Sequence, residues 1–151
     1  MAPKSQEPSE SAAFRVFNEI GIVSQLSATR FEAVMPHRLT LAQFSVLNHF
    51  SRLGGEKNIG RLAKAFQVSK ATMSGVVANL ERKGYVTVRP DPSDRRGKLA
   101  GLSPGGLAAR NDAIAALLPG LKKIEASFGA ARLKSMLPGL SALREHLDKN
   151  R

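Results

Sequence analysis

Hydrophobic side chains recur at helical spacing near the start of the chain. Between residues 12 and 34 they follow one another at steps of three to five, which predicts an amphipathic helix. The positions that form this apolar stripe are Phe14, Phe17, Ile20, Val23, Leu26 and Phe31. Pro36 ends the predicted helix. Residues 1–11 are polar and carry no such pattern, so we expect a disordered tail there.

Three shorter helices follow. Thr40 and Gln43 have the spacing of a capping box and begin the first of them, which Gly54 ends. Residues 59–66 and 70–83 show two more amphipathic segments, separated by only three residues. Two short helices joined by so tight a turn are typical of a helix-turn-helix, whose second helix enters the major groove of DNA.

A β-hairpin is predicted directly after these helices. Residues 85–88 are rich in β-formers and residues 98–102 can return as a second strand. The segment between them, residues 89–97, contains two prolines, two aspartates and a glycine, so we predict a loop too long for a two-residue turn. The hairpin would form a wing, and the winged helix-turn-helix would span residues 58–103.

The C-terminal third of the chain is helical by its pattern. Ser103 and Pro104 provide the cap and first position of a helix that continues to about residue 128. Its apolar stripe consists of Leu107, Ile114, Leu118, Leu121, Ile124 and Phe128. A last helix is expected over about residues 130–148. Each contains a Pro-Gly pair, at Pro119 and Pro138, where we expect a bend rather than an end.

The predicted fold is mainly α with a small β-hairpin wing: a winged helix-turn-helix flanked by N- and C-terminal dimerisation helices. Residues 39–103 would form the DNA-binding domain, and residues 12–38 and 104–151 the helical dimerisation region. The terminal helices carry apolar stripes that this small unit is not expected to cover. A two-fold partner could bury them, which favours a homodimer over a monomeric bundle.

The charge of the chain favours a polyanionic partner. The formal net charge is +11, and residues 61–98 alone contribute nine basic and three acidic side chains. The chain has no cysteine, which excludes disulfides and thiolate chemistry, and its three histidines, His37, His49 and His146, are too scattered for a metal site. We expect no metal or other cofactor. With no transmembrane stretch and no signal peptide, we expect a cytoplasmic protein that does not engage a membrane.

The predicted DNA-binding residues lie on the second helix of the motif and on the wing. Opposite its apolar stripe this helix presents Ala71, Gly75, Ala78 and Arg82, so three of four central positions are small. Hydroxyls and an ammonium cluster at its N-terminus, where phosphate binds well. Two arginines at the wing tip suit a narrow minor groove, and the adjacent aspartate could orient one of them. The candidate residues are Ser69, Lys70, Thr72, Ser74, Gly75, Asn79, Arg82, Asp94, Arg95 and Arg96.

Five segments of the chain resemble the MarR family of bacterial winged-helix regulators. They are Thr40 to Leu47, Val68 to Thr72, Leu80 to Val86, Arg89 to Lys98, and Leu102 to Gly106. The resemblance implies a homodimer that binds a near-palindromic operator, usually as a repressor. It also implies a cavity for a small aromatic or phenolic effector, and a wing arginine and its aspartate partner at Arg96 and Asp94.

The chain departs from this resemblance on the recognition helix. Many members carry Arg, Asp and Arg where this chain has Gly75, Ala78 and Asn79. We therefore expect phosphate contacts and DNA shape to contribute more than direct base readout. A ligand-responsive repressor and an architectural DNA binder without a ligand both fit these features. An enzyme is not expected, because no nucleophile motif, phosphate loop or pair of catalytic carboxylates is found.

Overall fold

A computed structural model of the protein describes residues 11–150. The predicted tail lies, apart from Ser11, outside the described residues. Six α-helices and three short strands are described. Their bounds are α1 Ala12–Val34, α2 Leu41–Leu53, β1 Lys57–Asn58, α3 Ile59–Phe66, α4 Lys70–Arg82, β2 Val86–Asp91, β3 Asp94–Leu102, α5 Pro104–Ile124 and α6 Ala130–Lys149.

The helix boundaries predicted before the wing are confirmed, and local side chains explain them. The Thr40 hydroxyl accepts from the Gln43 N–H at 3.1 Å, and the Gln43 side chain accepts from the Thr40 N–H, so both arms of the capping box form at the start of α2. Gly54 leaves that helix with φ +65. Ser69 caps α4, and Gln67 adopts a left-handed conformation in the turn before it.

The hairpin differs from its prediction. β2 and β3 run on until only Pro92 and Ser93 separate them, so the expected long loop at residues 89–97 is instead two paired strands and a two-residue turn. The two strands pair along their whole length, as far as Asp91 opposite Asp94, with a register shift between Pro90 and Asp91. The expectation was wrong because a proline- and aspartate-rich composition is typical of loops, whereas here contacts with distant residues hold the strands.

A third strand was not predicted at all. β1 comprises only two residues and pairs antiparallel with β3, which gives the sheet order β1-β3-β2. Asn58 in β1 also caps α3, accepting from the N–H groups of Gly60 and Arg61. One asparagine therefore ties β3 of the wing to the start of the helix-turn-helix.

The core lies among α2, α3, α4, the sheet and the first turns of α5. Its largest fully buried side chains are Phe50, Leu47, Leu62, Leu80, Val46 and Val77. The apolar stripe predicted for α5 does not pack against this core. Leu107 is exposed, whereas Gly106, Ala109 and Ala113 are buried, so α5 approaches the core through small residues.

Described residues up to Ala113 form one compact unit, and those from Ile114 form a second. In the second unit α5 and α6 each continue past their internal prolines, Pro119 and Pro138, so neither proline ends its helix. A π-helical turn at Glu125–Gly129 joins them, and Gly129 has φ +107. Within residues 11–150, no helix is long and apolar enough to cross a membrane.

Candidate nucleic-acid interface

Helix α4 has one buried and one exposed face, as the sequence predicts. Met73, Val77 and Leu80 are almost completely buried in the core. The opposite face presents Ala71, Gly75, Ala78 and Arg82 to solvent. A β-carbon placed on Gly75 would meet nothing within 4 Å, so this face is open. A helix this smooth can approach the floor of a major groove closely, but its centre offers few hydrogen-bonding groups.

The polar residues at the start of α4 are partly engaged with each other. The Ser69 hydroxyl accepts from the Thr72 N–H at 3.0 Å and donates to the Thr72 hydroxyl at 2.8 Å. The cap therefore fixes the orientation of the Thr72 hydroxyl, which retains its own proton to donate outward. Lys70 is exposed beside this pair.

At the other end of α4, Arg82 donates a hydrogen bond to the side-chain carbonyl of Asn79. The two residues lie one turn apart and are held as a pair. Arg82 is exposed and Asn79 is half-buried. This bond occupies one of the two acceptor positions of the Asn79 side-chain oxygen, and the amide nitrogen can still donate.

A groove of about 180 Å³ separates α4 from the wing, and we call it the wing groove. Three cationic side chains and one carboxylate line it: Lys70, Arg96, Lys98 and Glu81. Ser74 and Ala78 form its α4 wall, while Val77 and Val88 contribute apolar surface. The net positive charge of this lining suits a phosphate group.

A second groove, of about 440 Å³, lies on the other side of Lys70, and we call it the α3 groove. Its charged lining comprises Arg61, Lys64, Lys70 and Asp94, and Asn58 and Val68 also contribute. Lys70 therefore borders both grooves. Basic side chains extend without a break from α3, across the start of α4, to the wing.

Asp94 acts on the wing in a different way from the predicted one. Its carboxylate accepts from the Arg96 backbone N–H at 3.0 Å, whereas no ion pair joins it to Arg95 or Arg96 anywhere in the described stretch 11–150. It also crowds Gly97, where a β-carbon would lie 2.7 Å from an Asp94 oxygen and from the Asn58 amide. Asp94 thus shapes the backbone that carries Arg96, and a side chain at position 97 would displace the Asp94 carboxylate or the Asn58 amide.

Asp91 forms the polar centre of the wing at its turn. Its carboxylate accepts from the Asn58 amide at 2.8 Å and from the Ser93 N–H and hydroxyl at 2.9 and 2.7 Å. These bonds favour the charged form, so the Asn58 bond first, and the Ser93 bonds after it, lower the pKa of Asp91 below its ordinary value. The same bonds explain why the strands extend into a proline-rich segment.

Arg89 is not available to DNA in the same way as the other basic residues. Its guanidinium binds Glu56 in a forked arrangement, with a shortest distance of 2.7 Å. The hydrogen bond with Arg89 lowers the pKa of Glu56 and raises that of Arg89. The nine basic residues of segment 61–98 therefore differ in function, and this one braces the sheet.

Four of the ten predicted site residues line the two grooves. Lys70 and Ser74 share the wing groove with Arg96, and Asp94 borders the α3 groove. Arg95 is exposed on the wing. Sequence reasoning missed Arg61, Lys64 and Lys98 as site residues, although they belong to the basic segment. The pairing of β1 with β3, which could have indicated that α3 lies beside the wing, has no local sequence signal.

Histidine chemistry adds nothing to this surface. Burial, followed by the charges of Lys57 and Arg52, lowers the pKa of His49 and favours its neutral form. Within residues 11–150, no group of three or more histidine or acidic side chains is placed to hold a metal ion.

A tight two-helix motif followed by a three-stranded antiparallel wing defines a winged-helix DNA-binding protein. Residues 37–97, which include the motif and most of the wing, match the family model described as the MarR family. Over this segment the chain is similar to the MarR family of DNA-binding transcriptional regulators.

Two curated relatives and one solved structure illustrate the likeness. The transcriptional activatory protein BadR of Rhodopseudomonas palustris is 34% identical over 85 residues, 55% of this chain and about half of that relative (49%). The repressor NicR of Pseudomonas putida is 28% identical over 97% of this chain and 93% of its own length. The structure of BpsR from Bordetella bronchiseptica, whose DNA binding is regulated by 6-hydroxynicotinic acid, has a TM-score of 0.72 at 24% identity, over 86% of this chain and 98% of that one.

Proposed function

We propose that this protein is a ligand-responsive repressor that binds a near-palindromic operator as a homodimer. The observation that carries the proposal is the continuous basic surface formed by the two grooves on either side of Lys70. It lies beside the open face of α4, in a chain that resembles a repressor over almost its whole length.

The DNA contacts are divided between two elements. Helix α4 enters the major groove, and Ser69, Lys70, Thr72 and Ser74 at its start bind the backbone and adjoining base edges. Asn79 and Arg82 act at its other end, and Gly75 allows the close approach. The wing, with Arg95 and Arg96 supported by Asp94, contacts the neighbouring minor groove. Arg61, Lys64 and Lys98 extend the contact to flanking phosphates.

This helix reads few bases directly, and contacts with phosphates set the position of the protein on DNA. The smooth centre of α4 supplies van der Waals contact, and Arg82 already occupies one acceptor position of Asn79. Wing residues and phosphate contacts therefore contribute a larger share of the affinity than in relatives with charged side chains at these positions.

The terminal helices form the dimer, with residues 12–38 and 104–151 as the dimerisation region and residues 39–103 as the DNA-binding domain. Helix α1 has no buried residue in the single chain, although it carries three phenylalanines and several aliphatic side chains. In α6 a second row of apolar side chains is exposed, consisting of Met136, Leu137, Leu140 and Leu147. Exposed apolar faces of this length are typical of surfaces covered by a partner.

A small aromatic acid or phenol is the proposed class of effector. BpsR, which has the same fold, responds to a hydroxylated aromatic acid. A ligand that favours a half-site spacing unlike one turn of duplex, about 34 Å, lowers DNA affinity by shifting the population of the dimer. Binding of the effector then weakens binding of DNA, and binding of DNA weakens binding of the effector by the same free energy.

Selection of binding sites from a random duplex library tests the proposal. We expect an enriched inverted repeat, bound at least about a thousandfold more tightly than random duplex at about 0.15 M salt. Arg96→Ala and Ser74→Ala should each weaken binding to the enriched duplex. If both variants keep the affinity and the sequence preference of the unmodified protein, the assignment of the DNA-contact surface is wrong.

The second candidate is an architectural DNA binder without a ligand. The small outer face at Ala71, Gly75 and Ala78 favours it. It predicts that the selection enriches no sequence and that specific and random duplexes bind with similar affinity.

A further inference from the structure

Lys83 holds the C-terminal end of α4 to residues that lie 40 to 46 positions earlier in the chain. Its ammonium donates to the carbonyl oxygens of His37 and Arg38, at 3.2 and 2.9 Å, and to the side-chain oxygen of Gln43 at 3.0 Å. An ammonium has three N–H donors, and all three are used. Its partners are neutral oxygens, so the arrangement is a positioned set of hydrogen bonds rather than an ion pair.

The acceptors are held in place by unusual backbone. His37 and Arg38 have φ values of 60 and 51, in the left-handed region that residues other than glycine rarely adopt. Such conformations persist when the surrounding contacts over-determine them, and they cluster at functional sites. Here the conformation aims two successive carbonyl oxygens at one ammonium.

A second contact fixes the same turn from the side of α5. The His37 ring nitrogen lies 2.7 Å from a carboxylate oxygen of Asp112, and the same ring meets the edge of Tyr85 at 6.2 Å between centroids. Tyr85 and Lys83 flank Gly84, the residue at which the chain leaves α4 with φ +76. The connector between α1 and α2 therefore contacts both sides of the exit from the recognition helix.

We propose that Lys83 is a positioning residue for DNA recognition, which sets the orientation of the C-terminal turn of α4. This inference rests on the proposed function. The turn it holds carries Asn79 and Arg82, so loss of the ammonium displaces these side chains from the base edges. The Asp112–His37 contact keeps the acceptors in place, and it links α5 to the pose of the recognition helix. Lys83 itself does not contact DNA.

The test compares Lys83→Met with Lys83→Arg, which keeps a cationic donor. The control is Lys122→Met, which makes the same change at an exposed lysine of α5. Each variant is titrated, by fluorescence anisotropy, with a duplex selected by the unmodified protein and with a scrambled duplex of the same length. We expect Lys83→Met to lose about tenfold in affinity for the selected duplex, equivalent to 1.4 kcal/mol, and about twofold or less for the scrambled one.

Two further expectations separate positioning from a direct contact. Lys83→Arg should recover most of the lost affinity, and the salt dependence of scrambled-duplex binding should be unchanged in Lys83→Met. A phosphate ligand would behave differently, because its removal weakens both duplexes alike and lowers the log–log salt slope by about 0.9. Circular dichroism of each variant checks folding, and Lys83→Gln replaces Lys83→Met if the latter does not fold.

The inference is overturned if Lys83→Met keeps its discrimination between the duplexes, or if it weakens both equally with a reduced salt slope. Its failure is distinct from failure of the proposed function. If only this inference fails, the unmodified protein still prefers the selected duplex. If the proposed function fails, the unmodified protein shows no preference between the duplexes.

Discussion

The α-carbon of Gly106 lies against the backbone carbonyl oxygen of Tyr85. A β-carbon at position 106 would be 2.9 Å from the Leu102 side chain and would overlap the Tyr85 oxygen. Beside this contact the Ser103 hydroxyl donates to the Gly84 carbonyl at 2.6 Å and accepts from the Gly106 N–H. The first turn of α5 is thereby fixed to Gly84 and Tyr85, which connect the recognition helix to β2.

The first prediction is that Gly106→Ala destabilises the protein. Overlap with a backbone atom cannot be relieved by a rotamer change, so we expect a loss of about 1–3 kcal/mol in the free energy of unfolding, or more. Urea denaturation followed by circular dichroism measures it. Gly75→Ala is the matched control, because its β-carbon enters open space on an α-helix and should stabilise by about 0.5–1 kcal/mol. Equal stabilities of the two variants would contradict the close contact.

Helix starts and stops could be predicted from the sequence because their causes are local. The caps at Thr40 and Ser69 and the exit at Gly54 act within one turn of the chain. The wing could be predicted only in outline. Its strands extend through Asp91 because Asn58, 33 residues earlier, bonds the carboxylate, and composition alone does not reveal such a partner.

In the candidate site, too, features with local causes could be predicted, whereas features that depend on distant contacts could not. The outward face of α4 follows from helical periodicity, so Ala71, Gly75 and Ala78 were placed correctly on the exposed side. The grooves could not be predicted, because they depend on how the wing packs beside α4. The same is true of Asp94, whose carboxylate bonds a backbone N–H and not the arginine side chain that adjacency suggested. For α5, the large apolar side chains suggested which face packs against the core. The face that packs there instead carries Gly106 and the alanines, because the helix approaches Tyr85 closely at Gly106.

The second prediction concerns acid stability. The pKa of Asp91 is lowered from an ordinary value of 3.8, so its contribution to stability is present above that value and is lost as pH falls through the lowered pKa. Asp91→Asn removes the charge. We expect its melting temperature to lie below that of the unmodified protein at neutral pH, and the gap to narrow as the pH falls below about 4.

Thermal melts at a series of pH values measure this gap. Glu19→Gln, on the exposed surface of α1, provides the control, since its curve should run parallel to that of the unmodified protein. A gap that stays constant down to the acid limit would show that the charge of Asp91 does not stabilise the wing turn.

The third prediction separates the basic residues by position. Arg96 lines the wing groove with Lys70 and Lys98, so Arg96→Ala should weaken binding to the selected duplex by about tenfold or more. If the guanidinium neutralises one phosphate, the log–log salt slope should also fall by about 0.9. Arg144→Ala, an equal charge change in α6, should alter neither quantity. Anisotropy titrations between low and physiological salt measure both, and an Arg144 effect as large as that of Arg96 would indicate only a dependence on net charge.

The fourth prediction tests what covers helix α1. Leu26 is 62% exposed in the single chain, on a helix with no buried residue. If a second copy covers it, Leu26→Glu places a charge in an apolar interface and should shift the protein from dimer to monomer in sedimentation velocity. Operator binding should fall with dimerisation, because two half-sites are then no longer bound together. Gln25→Glu introduces a charge at the adjacent position and should leave the dimer intact. A Leu26→Glu protein that sediments as a dimer would place the interface elsewhere.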